Sequence, residues 1–129
     1  MLFRQLEGDF HAARRSGGLK HALDRWRVDE PALTHYSDPD ALIDHFRDRD
    51  SSYESKAATS HALCRLVQQG ERMATLLLFE LYMPALRTIV QRTLARCDLP
   101  MAELESAAAE GFLIRAQRVE PGHEKTTAI

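Results

Sequence analysis

Histidine is the side chain best suited to acid–base or metal chemistry near neutral pH, and this sequence has six: His11, His21, His35, His45, His61 and His123. They fall in separate segments, and no two have the i, i+4 spacing with which one helix presents two imidazoles to zinc. His35 and His45, with Asp44, form a grouping that folding can bring together. Its spacing is unspecific, so solvated or helix-end histidines are the expectation. A glycine-rich phosphate loop, a serine-nucleophile signature and a cysteine-to-cysteine metal spacing are all missing from the sequence. Cys64 and Cys97 lie far apart within expected helices, which reads as two reduced core thiols and not a disulfide framework. The expectation is a protein that is not an enzyme, with no catalytic residue, no metal and no cofactor.

Charged side chains offer a different chemistry, contact with a partner. Glu103 and Glu110 are two turns apart and share one face of an expected helix, while Glu105 points well away. With Arg115 they are the candidate partner-binding residues, a charged surface for a basic or helical protein. Arg87, Arg92 and Arg96 project from the preceding helix, Arg92 and Arg96 on one face, and are the candidate phosphate or DNA contacts. The formal net charge of −2 and the lack of a recognition helix make nucleic acid the less favoured partner.

The elements that carry these residues are helices. At 129 residues, 44% hydrophobic and 28% charged, the chain suits one globular domain with its own core. The period-two alternation of a strand is absent, and helix starts recur, which predicts an all-α fold: a compact bundle of about five helices around a long, proline-kinked central one. Residues 1–17 read as a flexible, at most partly helical arm ending at Ser16-Gly17-Gly18, and Arg4, Glu7 and Asp9 interrupt any secretory signal. A single helical domain then spans 18–119, and 120–129 read as a disordered tail.

Leu19, Ala22, Leu23 and Trp26 stripe the first helix of the domain, and Trp26, Leu33 and Tyr36 are expected in the core. Asp38-Pro39-Asp40 starts the next helix, through Arg49; Ser51 with Glu54 forms a capping box opening another to about Gln69; Gly70 stops it. The long helix from Glu71 to Arg96 is apolar on more than one face, with Pro84 in its middle. A proline there leaves the carbonyl of Glu80 without its amide donor, which local adjustment or water is expected to satisfy. Met73 to Val90 has nearly the length of a membrane span, but Glu80 and Arg87 within it favour a buried core helix and no membrane contact. Asp98-Leu99-Pro100 breaks the chain before a last helix from Met101 to about Arg118.

Residues 70–117 resemble the start of the second region of bacterial sigma factors, the promoter-specificity subunits of RNA polymerase. The likeness rests on Phe79-Glu80-Leu81-Tyr82-Met83-Pro84-Ala85-Leu86, followed by Ile89, Val90 and Leu94, and then on Glu103-Leu104-Glu105 and Glu110-Gly111-Phe112-Leu113-Ile114-Arg115-Ala116. It covers about a third of the chain. The glutamine–glutamate pair with which the family meets a coiled coil of the polymerase falls near Ala107 and Ala108 here, and the aromatic and basic helix that opens promoter DNA has no counterpart. The resemblance implies a bacterial, cytoplasmic, transcription-related protein that keeps the core-binding scaffold without the DNA-melting half. Its partner would be RNA polymerase core; the alternatives are a homodimerisation module without a transcriptional role and a DNA-binding regulator.

Overall fold

Each helix needs groups to satisfy the free amides of its first turn, and the sequence supplies several of them locally. In the computed structural model, which describes residues 2–118, the chain forms α1 (Leu2–Arg15), α2 (Gly18–Trp26), α3 (Pro39–Arg47), α4 (Tyr53–Gln68), α5 (Arg72–Leu94) and α6 (Met101–Arg118). A 3-10 turn at Pro31–Leu33 joins α2 to α3. The Asp38 carboxylate accepts from the Ala41 amide at 2.8 Å, with Pro39 in the first turn of α3. Ser52 caps α4, its Oγ accepting from the Ser55 amide at 3.1 Å. The expected cap at Ser51 shifts by one because Ser51 Oγ meets His45 Nδ1 instead, at 3.2 Å. Gly70, at φ 84°, takes the left-handed conformation that turns α4 into α5.

The all-helical expectation holds, with six α-helices among the described residues where about five were expected. The extra one is α1, and it corrects the reading of residues 1–17 as a flexible arm. Phe3, Leu6, Phe10 and Ala13 recur at spacings of three and four, one stripe of an amphipathic helix. Phe3 is 1% exposed and Phe10 2%. The stripe packs α1 along α5, so the helical body begins at residue 2. The tail expected over 120–129 lies outside the described residues.

At the centre is α5, against which α1, α2, α3, α4 and α6 all pack. By length and composition α5 passes as a membrane span, yet Ala74 and Leu76 to Phe79 are all buried by the other helices. Trp26, Leu33 and Tyr36 are buried as expected, and their polar atoms are paired. Trp26 Nε1 donates to Glu71 Oε1 at 3.2 Å, and the Tyr36 hydroxyl lies 2.9 Å from Thr59 Oγ1. Cys64 is buried, and burial pushes its thiol up to about 11. Cys97 is exposed beyond the end of α5, which corrects its reading as a core thiol.

The docking of α1 sets an expectation for stability. Phe3→Ala should cost about 3–5 kcal/mol in denaturant unfolding, the range for emptying a buried phenylalanine site. A loosely attached arm would give a change within about 0.5 kcal/mol.

Candidate interaction surface

Residues 72–118 form one structural unit, the antiparallel α5–α6 hairpin. Its inner seam is aromatic: the rings of Phe79 and Tyr82 lie 5.0 and 5.2 Å from that of Phe112, and Phe46 from α3 stands 5.3 Å from Tyr82. The Tyr82 hydroxyl lies 3.0 Å from Ser60 Oγ of α4. With Leu104, Ala109, Phe112 and Ala116 turned inward, α6 presents Glu103, Ala107, Glu110 and Ile114 outward, so the two expected carboxylates do share an exposed face.

Glu105 does not join them. It is 6% exposed, and its Oε1 accepts from the Phe3 amide at 3.0 Å, satisfying a free N–H in the first turn of α1. Its reading as a partner contact is thereby corrected: the orphan amides of one helix start draw this carboxylate into the fold. Arg115 is exposed on the α6 surface.

The three arginines separate in the same way. Arg87 pairs with Glu7 of α1 and lies over the Phe3 ring, 5.9 Å from its centroid, so its charge is already matched within the fold although the side chain is exposed. Arg92 is exposed near the end of α5, and Arg96 lies in the turn beyond it. Among the described residues no ion pair involves Arg92, Arg96, Glu103 or Glu110. The same hairpin carries four of the large apolar side chains left in solvent: Ile89 at 54% exposure, Leu94, Leu99 at 49% and Ile114.

The proline is accommodated by a side chain. Pro84 lies inside α5, and Arg47 Nη2 of α3 donates to the Glu80 carbonyl at 3.0 Å, replacing the missing amide. The same guanidinium is 3.8 Å from Glu80 Oε1. Glu80 Oε2 is buried without a hydrogen-bond partner among the described residues. Burial raises the Glu80 carboxyl above its ordinary range, Arg47 opposes the shift, and Glu7 adds to it. These groups border a cleft of about 400 Å³ between α1, α3 and α5, where the Arg14–Asp40 pair, at 3.0 Å, closes the far side. The donor to Glu80 could not be read from the sequence, because nothing local links Arg47 to a residue 33 positions away.

His35 and His45 do meet, with ring centroids 6.1 Å apart. His45 Nε2 lies 2.8 Å from Ser55 Oγ, and its other nitrogen faces Ser51. A serine–imidazole pair at this distance has the reach of a nucleophile and its base. The group orienting the imidazole is here a neutral hydroxyl, which stabilises an imidazolium less than a carboxylate does. The arrangement ties the end of α3 to the first turn of α4. No group of three metal-ligating side chains occurs among the described residues. Compared with protein-family models, curated proteins and solved structures, the chain matches none.

Two outcomes follow for the α3–α5 contact. Because the folded state raises the Glu80 carboxyl, folding is penalised above the raised value, and the penalty is relieved as pH falls toward the ordinary carboxylate range. Glu80→Gln should therefore raise Tm at pH 7, with the advantage over wild type shrinking on acidification. Arg47→Met leaves the Glu80 carbonyl without a donor and should cost about 1–3 kcal/mol. In the Pro84→Ala background, where the helix supplies that amide, the cost should fall to less than half, as read by a double-mutant cycle.

Proposed function

We propose that this chain is a non-enzymatic helical protein that binds a protein partner through the outer face of its α5–α6 hairpin. What supports the reading is a coincidence of place. The segment that resembles a sigma factor's core-binding region is the same hairpin on which Arg92, Arg96, Glu103 and Glu110, without ion pairs among the described residues, and solvent-exposed apolar side chains gather. Apolar side chains rimmed by charge are the usual make-up of a protein contact. On this reading Glu103 and Glu110 meet basic groups of the partner, while Ile89 and Ile114 supply apolar contact. The resemblance names RNA polymerase core as that partner, and a transcription-related role in the bacterial cytoplasm with it. The kink expected of an internal proline at Pro84 is part of this proposal, since it would aim the second half of α5.

A DNA-binding role is weaker because Arg87 is engaged by Glu7, which leaves Arg92 and Arg96 alone for phosphate contact. Capture of the protein on immobilised RNA polymerase core tests the main reading. Glu103→Lys with Glu110→Lys should weaken capture roughly tenfold, about 1.4 kcal/mol. Wild-type protein that is not retained sinks the polymerase assignment.

A further inference from the structure

A carboxylate withdrawn from water needs a donor for each of its oxygens, and Glu80 is short of one. Its side chain is 11% exposed; Oε1 stands 3.8 Å from Arg47 Nη2, beyond hydrogen-bond reach, and Oε2 is buried with no partner among the described residues. The residue lines the cleft of about 400 Å³ between α1, α3 and α5, a volume within the range of small-ligand sites. Asp40, Asp44 and Arg47 border it from one side of α3, at spacings of four and three, and His11 and Arg14 border it from α1.

The charges around this cleft do not cancel. Arg14 is matched by Asp40 at 3.0 Å, and Glu7 and Arg87, which act on Glu80 from outside the lining, match each other. Arg47 directs its Nη2 at the Glu80 carbonyl, at 3.0 Å, which leaves the carboxylate at long range. Asp44 is exposed and takes part in no ion pair among the described residues. With His11 neutral, two arginines against three carboxylates leave the lining one negative charge, shared between Glu80 and Asp44. Phe10 and Ile43 line the same cleft and add apolar surface beside these acceptors.

We propose that the cleft between α1, α3 and α5 binds a small alkylammonium cation, a primary amine whose N–H groups donate to the carboxylates of Glu80 and Asp44 while its chain lies against Phe10 and Ile43. Rotation of the Glu80 carboxylate exchanges its two oxygens, so either one can take the donor. An ammonium brings three donors and one positive charge, which is what the lining lacks. An anion would have to draw Arg14 from Asp40 or Arg47 from the Glu80 carbonyl, and a neutral molecule would leave the charge unmatched. None of Arg92, Arg96, Glu103 and Glu110 lines the cleft, so this site goes beyond the partner-binding reading and is tested apart from it.

The probe is n-butylammonium chloride, followed by amide chemical shifts in two-dimensional NMR and by thermal unfolding, with sodium chloride holding ionic strength constant. It should shift amides of α1, α3 and α5 around the cleft and raise Tm with a millimolar midpoint, because a ligand that binds only the folded protein stabilises it. n-Butanol and sodium butyrate should do neither. Glu80→Gln should weaken binding at least about tenfold and the more exposed Asp44→Asn about threefold. Glu103→Gln, at an exposed carboxylate outside the cleft, should leave binding unchanged. Since Glu80→Gln is itself expected to stabilise the fold, loss of binding in that variant is not a loss of folding. A protein that ignores butylammonium overturns the proposal. So does an equal response to n-butanol, which makes the cleft merely apolar, or an equal loss with Glu103→Gln, which makes the effect general screening. A response that survives both cleft substitutions places the amine elsewhere and overturns it too.

Discussion

The first half of α5 governs the rest of the fold. Leu76, Leu77, Leu78 and Phe79 are four consecutive buried residues, and on a helix with 3.6 residues per turn four in a row point in every direction. A helix that is apolar all round cannot lie on a surface and must be enclosed. The remaining helices meet that demand: α4 and α6 flank α5, α1 folds back along it, and α2 and α3 close the gaps. Each apolar side chain so buried contributes about 1.5–3 kcal/mol, an upper estimate against an extended chain. The polar atoms drawn in with them must be matched, as in the pairing of the Tyr82 and Ser60 hydroxyls.

Pro84 marks where this enclosure stops. Before it α5 is buried on all sides. After it only the side of Leu86 and Val90 is buried, and Ala85, Thr88, Ile89 and Arg92 face solvent. The proline ring itself is exposed, so its bulk meets no neighbouring helix, and its one backbone cost, the orphaned Glu80 carbonyl, falls where Arg47 of α3 can reach. The helix therefore continues through a residue that usually ends helices because a neighbouring element supplies the lost donor. The carboxylate of Glu80 is held near that guanidinium at the expense of its own solvation, which is the cause of its raised pKa.

Features with a short-range physical cause were legible in the sequence. Asp38-Pro39 starts a helix, Gly70 ends one, Leu19, Ala22, Leu23 and Trp26 are buried, and α6 runs from Met101 to Arg118. Features that depend on a distant partner were not. Glu105 looks like any helix-surface glutamate until α1 brings the Phe3 amide to it, and Arg87 looks free until Glu7 arrives. The misreading of α1 has a different origin, since the stripe of Phe3, Leu6, Phe10 and Ala13 is present in the sequence. The charges between those residues occupy the opposite face of an amphipathic helix. Tyr53, in the first turn of α4, is an apolar side chain left 65% exposed.

The same distinction separates the charges that join helices of this fold from those with no ion-pair partner among the described residues. Glu7, Glu71 and Glu30 are matched by Arg87, Arg25 and Arg65, pairs that join elements far apart in sequence, the last two at 2.6 and 2.7 Å. Of these the Glu30–Arg65 pair is partly buried and favours one arrangement of helices over its alternatives, because a wrong packing leaves a charge desolvated and alone. Arg92, Arg96, Glu103 and Glu110 carry no such duty, and neither do Ile89 and Ile114 in the core. Folding alone does not require arginines at the end of α5, carboxylates on the exposed side of α6, or exposed isoleucines on both helices. In protein contacts generally, unmatched charges steer and orient a partner while apolar contact holds it. The part of this molecule that its own stability does not explain is thus the solvent-exposed side of the α5–α6 hairpin, where these side chains gather.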